Sequence, residues 1–244
     1  MVDPVADASV AGLSAPAQLL KRLFDVVVAA IALCLTMPLL LILALVVWLG
    51  AGRPVFYREY RVGRHGVAFP QFKFRTLRSG SAEVRSVAPQ DDPRIVGAGR
   101  WLRRWRLDEL PQLFNVLRGD MSLMGPRPMP RAHVDSLPPC HRDIILSVRP
   151  GLTDAAALYF LAEDEVLAGM RDPEALYLAC LLPAKARMQV DSLRHWNLGA
   201  DLLILARTVA SVWSPLARAQ SARALREFLS SGQSAHENRE TDAG

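Results

Sequence analysis

Cysteine is scarce in this chain. There are three cysteines, Cys34, Cys140 and Cys180, an odd number without the spacing of a metal site. This argues against a disulfide framework and favours a protein that faces a reducing compartment such as the cytosol. No internal repeat is present either.

Acidic residues are fewer than basic ones, with 24 Asp and Glu against 29 Lys and Arg in 244 residues. The arginines are not gathered with stacking aromatics on one module, so the composition does not favour a nucleic-acid-binding protein. Anionic headgroups and phosphate-bearing substrates account better for the positive excess. With 51% apolar residues, the chain is not disordered overall and can form one ordinary domain plus a membrane element.

Charged residues are absent from Val26 to Leu49, a run of 24 residues. As a straight helix this run measures about 36 Å, against a hydrocarbon core of about 30 Å. Pro38 removes a helical hydrogen bond near its centre, and basic residues flank both ends, which favours two cytosolic ends. A simple crossing stays open, but a re-entrant helix broken at Pro38 fits the charges better.

Lys21 and Arg22 precede the apolar run, and Asp25 follows them at helical spacing. Asp25 is therefore predicted to pair with one of the two at the membrane boundary. Alternatively, Lys21 and Arg22 attract the phosphate of a lipid carrier. We expect anchoring and lipid attraction together.

Two β-prone segments follow, 54–61 and 67–75, and the turn Gly63–Gly66 between them predicts a β-hairpin. Arg61, Lys73 and Arg75 would project near one another. A solvated basic edge and a contact to an anionic substrate are equally open. Ser79 to Asp92 lacks periodicity and predicts a loop, and Asp92-Pro93-Arg94 predicts a turn.

A short basic and aromatic segment runs from Gly99 to Arg106. In a helix, Trp101, Leu102 and Trp105 share one face while arginines occupy the rest, a pattern typical of a helix lying in the membrane interface. Alternatively, the two tryptophans belong to a core.

Asp108 and Glu109 come directly after this segment. Asp108 can cap a helix that carries Pro111 in its first turn, and the free N–H groups there favour an anion. The two carboxylates could converge on one phosphate or one divalent cation. Gly119 can end the helix, and Arg127 lies between two prolines, which presents its guanidinium fork with little entropy left to lose. The alternative is that Asp108 is only a helix cap, that Glu109 is a solvated residue of the first turn, and that the segment around Arg127 is an ordinary turn.

Taken in order, these segments resemble the monotopic phosphoglycosyl transferases, the bacterial sugar transferases that begin polysaccharide and glycoconjugate assembly. The resemblance runs from Lys21 to about Val212. Its landmarks are Lys21-Arg-x-Phe-Asp25, Pro54-Val-Phe56, Arg61-x-Gly-x-x-Gly66, Lys73-Phe-Arg-Thr76, Asp92-Pro-Arg94, Gly99-Arg100, the block from Leu107 to Pro128, Arg149-Pro-Gly-Leu-Thr153 and Trp196-x-x-x-x-Asp201.

The resemblance implies an activity and a place. Asp108 maps to the family's nucleophile, and Glu109 to the carboxylate that holds Mg²⁺. The donor would be a UDP-sugar, the acceptor a polyprenyl phosphate such as undecaprenyl phosphate, and UMP would be released at the cytosolic face of the bacterial inner membrane. Arg127, with Arg94 or Arg149, would steady phosphate oxygens. Asp201 is carried over as a further substrate-binding residue, and a re-entrant membrane helix is also implied.

Two departures from the family pattern stand out. Met37 occupies the position before Pro38 where the family often has Ser, which leaves Thr36 to satisfy a freed carbonyl. Leu161-Ala162 stands where related sequences tend to have a basic residue and Asn, so a contact to the nucleotide or sugar is lost or supplied elsewhere. Two interpretations stay open for Glu163 and Glu165, which either bind substrate hydroxyls or a metal ion or are solvated acids on a helix face.

The expected fold is mainly α with a small β-hairpin (α+β). We predict a disordered segment at 1–20, a re-entrant helix at 21–52, a cytosolic catalytic domain at 53–220 and a mostly disordered tail at 221–244. Two rival functions stay open, a metal-dependent phosphodiesterase and a non-catalytic membrane adaptor. Formation of a homo-oligomer is left open as well.

Overall fold

The structure is a computed structural model, and it describes residues 15–77, 92, 94–95, 97–168 and 170–241. Helices predominate, as the sequence predicted, and the strands are short. The elements in chain order are α1 (Ala15–Ala51), β1 (Phe56–Val62), β2 (Ala68–Phe74), α2 (Gly97–Arg104), α3 (Gln112–Arg118), β3 (Ser122–Met124), α4 (Arg131–Asp135), α5 (Pro139–Leu146), β4 (Gly151–Thr153), α6 (Ala155–Tyr159), α7 (Glu163–Leu167), α8 (Pro173–Leu176), a π-helical turn (Tyr177–Leu181), α9 (Leu182–Arg194), α10 (Leu198–Val212) and α11 (Pro215–Thr241).

Helix α1 contains the apolar run and continues through Pro38 without interruption. The chain therefore stays helical at Pro38, and the predicted break does not interrupt the helix. Thr36 donates a hydrogen bond to the carbonyl of Ala32 at 2.7 Å, and not to that of Cys34, which Pro38 leaves without its helical donor. A helix that keeps its other backbone hydrogen bonds tolerates one proline, and in an apolar environment those bonds are especially valuable. The helix also begins at Ala15, so residues 15–20, predicted as disordered, are helical.

Both ends of α1 are tied to the rest of the protein by arginine side chains. Arg22 donates to the carbonyls of Val116 and Leu117 at 2.7 and 3.1 Å, in the last turn of α3. At the other end, Arg75 donates to the carbonyls of Ala51 and Arg53, the latter at 2.9 Å. The two ends of the apolar helix therefore contact one and the same domain.

The predicted hairpin is confirmed. Strands β1 and β2 pair antiparallel from Phe56 opposite Phe74 to Val62 opposite Ala68, and the glycine-containing turn joins them. Asn115 of α3 fastens the hairpin, since its side-chain oxygen accepts from the Phe72 N–H at 3.0 Å. This contact sets β2 beside α3, and thereby beside the residues that precede α3.

A second, parallel pair of strands brings two distant loops together. Ser122 of β3 lies opposite Gly151 of β4. The backbones approach so closely at Gly125 and Gly151 that a Cβ on Gly151 would lie 2.2 Å from the Gly125 nitrogen. Only glycine fits such an approach. The loop with Arg127 and the one leading to Asp154 are thus held side by side.

Two hydrophobic cores hold the elements in place. One lies between α1, the hairpin, α2 and α3, and the other lies mainly between α5, α6, α7, α9 and α11. Leu225 of α11 is fully buried, with Ala222 and Leu229 nearly so, and the segment predicted as a disordered tail is helical up to Thr241. Residues 222, 225 and 229 have helical spacing, a pattern that the polar composition of the tail obscured. The predicted loop at 79–92 lies outside the described residues, except Asp92.

Candidate active site

Asp108 and Glu109 belong to a 3₁₀ turn, Leu107–Glu109, which we call the acidic turn. It follows Arg106, a residue in the left-handed region at φ 52°, and α3 begins only at Gln112. Asp108 is therefore not the predicted helix cap, since α3 has no side-chain cap and its N-terminal flanking residue is Pro111. The predicted end of this helix at Gly119 is confirmed, where φ is 91°.

Asp108 is buried, with 9% of its surface exposed. Burial raises the pKa of its carboxyl group to about 6, and the negative charge of Glu109 adds to the shift. Lys73, Arg103 and Arg106 oppose this change from nearby. At neutral pH Asp108 is thus mainly ionised but holds a proton far more readily than an ordinary aspartate.

Glu109 is shifted in the opposite direction. Burial by itself would raise the pKa of Glu109, but the positive charges of Arg127, Arg106 and Lys73 outweigh it and lower the pKa to about 2. Arg127 and Glu109 form a direct ion pair. The two adjacent carboxylates therefore differ strongly in proton affinity, which is typical of acids with different roles in one site.

Arg127 is held on several sides. Its backbone N–H donates to the carboxylate of Asp154 at 3.2 Å, and its guanidinium donates to the Leu152 carbonyl at 3.4 Å as well as to Glu109. Asp154 is itself fixed, because it accepts from Gln189 at 2.7 Å and caps α6. The ion pair with Glu109 raises the pKa of Arg127 further, so the guanidinium stays charged.

Lys73 of the hairpin also faces the acidic turn. Its Nζ lies 3.9 Å from the carboxylate of Glu59, which pairs with Arg61 at 2.6 Å. Burial and the neighbouring Arg61 lower the pKa of Lys73, while Glu109 and Glu59 act against this. Lys73 and Arg61 thus belong to a partly buried charge cluster and not to a fully solvated edge.

Two other predicted substrate-binding residues have backbone partners elsewhere. Arg75 is buried and binds the carbonyls of Ala51 and Arg53 at the end of α1. Arg149 donates to the carbonyl of Gly119 at 3.0 Å, and burial together with Arg22 and Arg64 lowers its pKa. Arg75 thus binds backbone at the end of α1 and Arg149 binds it at the end of α3, so the role of both toward substrate stays a prediction.

Arg94 forms the predicted turn with Asp92 and is paired with it through its side chain at 2.6 Å. The hydrogen bonds from Arg94 lower the pKa of Asp92 despite its burial. Arg103 is an electrostatic neighbour of both Asp92 and Asp108, so this turn lies near the acidic turn.

Asp201 and Lys21 form an ion pair at 2.8 Å, and Trp196 donates to the same carboxylate oxygen at 2.9 Å. Asp201 thereby joins α10 to the start of α1. Asp25, which was predicted to pair with Lys21 or Arg22, is buried and accepts from the backbone N–H of Leu123 at 3.1 Å. That prediction is wrong, because the neighbouring cations reach across to α10 and α3 instead.

The aromatic segment before the acidic turn does not present one apolar face. Leu102 is fully buried in the core, whereas Trp101 is half exposed. Helix α2 ends at Arg104, so Trp105 leaves the helix and stacks on Trp213 with ring centroids 5.0 Å apart. Trp101 alone keeps the exposure expected of a membrane-interface residue.

Sequence reasoning missed Arg103 and Arg106 as neighbours of Asp108. Both had been assigned to the polar face of an interface helix. Arg106 follows α2 in the left-handed conformation, and its positive charge acts on both Asp108 and Glu109. The only local signal for this proximity was that Arg103 and Arg106 lie five and two residues before Asp108 in the sequence.

The residues described include no cluster of three or more His, Cys, Asp or Glu side chains that could hold a metal ion. Mg²⁺ does not need such a cluster, because it is commonly bound by one or two carboxylates together with water and substrate phosphates. Asp108 and Glu109 supply such a pair, and Glu109 is ionised at all ordinary pH values. The donor set thus fits Mg²⁺ bound jointly with a diphosphate.

Residues 16–215 match the family described as bacterial sugar transferase. The chain belongs to the bacterial sugar transferase family. This match covers α1, the hairpin, the acidic turn and the Arg127 loop, but only the first residue of α11.

Curated relatives within the family include three that carry informative names. The UDP-glucose:undecaprenyl-phosphate glucose-1-phosphate transferase of Caulobacter vibrioides is 38% identical over 79% of this chain and 69% of its own length. The undecaprenyl-phosphate galactose phosphotransferase of Salmonella typhimurium is 40% identical over 55% and 31%. The exopolysaccharide production protein ExoY of Rhizobium meliloti is 32% identical over 79% and 84%. Some of these relatives are thus much longer than the segment that this sugar transferase shares with them.

Proposed function

We propose that this protein transfers a sugar 1-phosphate from a UDP-sugar to a membrane polyprenyl phosphate, such as undecaprenyl phosphate, and releases UMP. Membership of the sugar transferase family and the names of its relatives support the reaction class. The observation that carries the proposal is the acidic turn, where the buried carboxyl group of Asp108 and the partly buried one of Glu109 have pKa values of about 6 and about 2 beside Arg127.

Asp108 is the nucleophile. Its carboxylate attacks the sugar-linked phosphorus of the UDP-sugar, the bond from that phosphorus to UMP breaks, and a phosphosugar is held on Asp108 as an acyl phosphate. A phosphate oxygen of the polyprenyl carrier then attacks the same phosphorus and displaces Asp108. The products are the polyprenyl diphosphosugar and the free carboxylate. A pKa of about 6 suits this role, because most of the carboxylate is ionised at pH 7 yet more nucleophilic than an ordinary aspartate.

Positive charge around Asp108 makes the attack feasible. A carboxylate and a diphosphate repel each other, and this repulsion is strong where water is excluded. Lys73, Arg103, Arg106 and Arg127 all act electrostatically on the acidic turn. Arg127 is held by Asp154 and the end of β4, and it would meet a phosphate oxygen in a fixed orientation.

Glu109 would hold Mg²⁺, with Asp108 or substrate oxygens completing the set. The ion, when bound, neutralises charge on the diphosphate. Glu109 is suited to this because it stays ionised, and because its pair with Arg127 places a metal ligand and a phosphate ligand side by side.

The reaction would take place at the cytosolic face of the inner membrane. Helix α1 is long and apolar enough to cross a bilayer, but its two ends bind the same domain through Arg22 and Arg75. Such an arrangement favours a re-entrant helix that enters and leaves one leaflet. Further apolar side chains are exposed on Trp101 and along α10 and the start of α11, namely Leu202, Leu203, Val209, Trp213 and Leu216.

Labelled donor distinguishes this activity from its rivals. Full-length protein in lipid vesicles is incubated with a panel of labelled UDP-hexoses and UDP-N-acetylhexosamines, undecaprenyl phosphate and Mg²⁺. We expect UMP release and movement of label into lipid with at least one donor. Asp108→Asn abolishes both, whereas Asp135→Asn, a change in a surface ion pair with Arg131, leaves them intact. Sugar phosphate released to water would identify a hydrolase instead, and no reaction with any donor would support an adaptor.

A further inference from the structure

Helix α11 lies beyond the family match, which ends at residue 215, yet its first half is part of the core. Leu225 and Ala222 pack with α6 and α7, and Phe228 meets Phe160 edge to face with ring centroids 6.5 Å apart. A helix outside the matched segment therefore packs against α6 and α7. Its polar contacts indicate what it does there.

Arg218 of α11 is 8% exposed and makes three contacts with two other elements. One guanidinium nitrogen donates to the carbonyl of Arg104 at 2.6 Å, and the other donates to Glu165 at 2.9 Å and lies 3.9 Å from Asp164. A buried guanidinium with a carboxylate on one side and a carbonyl on the other has little freedom to move. Arg218 thus links α7 to the last residue of α2.

The carbonyl that Arg218 binds belongs to the segment leading into the acidic turn. Arg104 ends α2, and after Trp105 the chain turns at Arg106, which has a left-handed conformation at φ 52°. A non-glycine residue in that region is held there by its surroundings and not by its own preference. Contacts that fix the end of α2 therefore also fix the direction in which Asp108 is presented.

A second connection from α11 reaches the same turn. The Ser221 hydroxyl donates to the carbonyl of Tyr159 at 2.7 Å and accepts from the Ala162 N–H at 3.2 Å. Between these residues, the carbonyl of Leu161 accepts from the Arg106 guanidinium at 3.4 Å. The segment around Leu161-Ala162, where this chain departs from its branch of the family, is thus bound to α11 on one side and to Arg106 on the other.

We propose that α11 acts as a brace for the acidic turn, with Arg218 as a positioning residue for Asp108. This role rests on the proposed function, since it concerns the geometry of the same reaction. Arg218 does not touch substrate. It acts through the Arg104 carbonyl and keeps the segment 104–108 in the conformation that presents the Asp108 carboxylate for attack.

Four variants of the full-length protein in lipid vesicles test the brace. Arg218→Met removes the contacts, and Arg218→Lys keeps the charge with fewer directed donors. The double variant Arg218→Met/Glu165→Gln also removes the partly buried Glu165 carboxylate that the single change would leave without its cation. Arg223→Met is the matched control, because Arg223 lies in the same helix, is 83% exposed in its side chain and, among the residues described, pairs with Glu227 of that helix at 2.9 Å.

In Arg218→Met we expect kcat for transfer to fall about tenfold or more, while KM for the UDP-sugar stays within about twofold of the wild-type value. The reason is that displacing the nucleophile by about 1 Å slows the reaction without weakening donor binding. The double variant recovers thermal stability but not kcat, Arg218→Lys recovers part of kcat, and Arg223→Met matches wild type. A double variant that recovers both would overturn the proposal, since Arg218 would then matter for folding alone. Unchanged kcat in folded Arg218→Met would overturn it as well.

Amide hydrogen exchange separates this proposal from the proposed reaction. If α11 braces the turn, peptides spanning residues 104–109 exchange faster in Arg218→Met than in Arg223→Met, whatever reaction the site performs. Equal exchange would contradict the brace even in an active enzyme. Faster exchange in a protein that transfers no sugar would uphold the brace while refuting the transferase activity.

Discussion

Arg127 forms an ion pair with Glu109, the second carboxylate of the acidic turn, although the two residues are 18 positions apart in the chain. This pair contributes to the difference in pKa between Glu109 and Asp108. It holds Glu109 ionised, and Glu109 in turn adds negative charge beside Asp108, whose pKa burial has already raised. Arg127 therefore acts on Asp108 indirectly, through the ionised Glu109.

The first prediction concerns the ionisation of Asp108. Lys73, Arg103, Arg106 and Glu109 face its carboxyl group, and burial dominates the balance to give a pKa of about 6. Because this is higher than for an ordinary aspartate, the neutral form persists up to about pH 6 and the nucleophile is lost below it. Infrared difference spectra of metal-free protein should show a protonated carboxyl band that disappears near pH 6 and is missing in Asp108→Asn. Disappearance of that band below pH 4.5 would contradict the prediction.

The second prediction concerns Arg127. Replacing it with Gln removes a charged donor near the proposed phosphate site and leaves the partly buried Glu109 carboxylate without its partner. We expect kcat/KM to fall by about 10²-fold or more, the scale seen when one donor to a transition state is lost. Arg131→Gln serves as the control, since Arg131 lies in an exposed pair with Asp135. Equal losses in the two variants would show that the effect is not specific to the site.

The third prediction concerns Gly151, where the two loops cross. A methyl group there would lie 2.2 Å from the backbone nitrogen of Gly125, and neither backbone can move without displacing the Arg127 loop or β4. We expect Gly151→Ala to lower the free energy of unfolding by about 3 kcal/mol, the upper range for overpacking. Gly97→Ala, with no atom within 4 Å of the added carbon, should be harmless. Thermal denaturation in detergent measures both.

The fourth prediction concerns the pair between Lys21 and Asp201, whose side chains are 16% and 11% exposed. Lys21→Glu places two negative charges together and should lower the thermal midpoint. Adding Asp201→Lys restores opposite charges and should recover most of the loss, because partly buried pairs depend on their partner. A double variant that is less stable than both singles would argue against a direct pairing.

The fifth prediction concerns the topology of α1. In a protein whose three native cysteines are replaced, Gln18→Cys and Tyr60→Cys are labelled in sealed vesicles with a reagent that does not cross the membrane. Tyr60 is 72% exposed on the hairpin, and Gln18 lies near the start of α1. If α1 is re-entrant, both sites react from the same side. Labelling from opposite sides would establish a simple crossing.

The features that the sequence predicted correctly are local. The hairpin follows from β-prone segments around Gly63–Gly66, and the end of α3 follows from Gly119, because each depends on backbone preferences of a few residues. Arg127 was likewise recognised from its flanking prolines, and the structure places it against Glu109. Each of these features could be predicted because the residues that determine it are close together in the sequence.

The features that were missed depend on long-range contacts. The partners of Arg75 and Arg149 are backbone carbonyls that become accessible only where an element ends, and no residue type announces them. The burial of Leu225 depends on α6 and α7 reaching it. The predicted pairing of Asp25 was wrong for the same reason, because Arg22 binds a carbonyl in α3 and Lys21 binds Asp201 in α10.

The packing of α1 has a consequence for where the chemistry occurs. Leu43 and Val47 share a core with Phe74 and Leu113, so the membrane helix is an integral part of the fold and not a detachable anchor. An enzyme on a flexible tether would sample many heights above the bilayer. In the proposed reaction, side-chain packing sets the height of Asp108 above the bilayer, and the phosphate of the lipid acceptor would meet its carboxylate at one fixed depth.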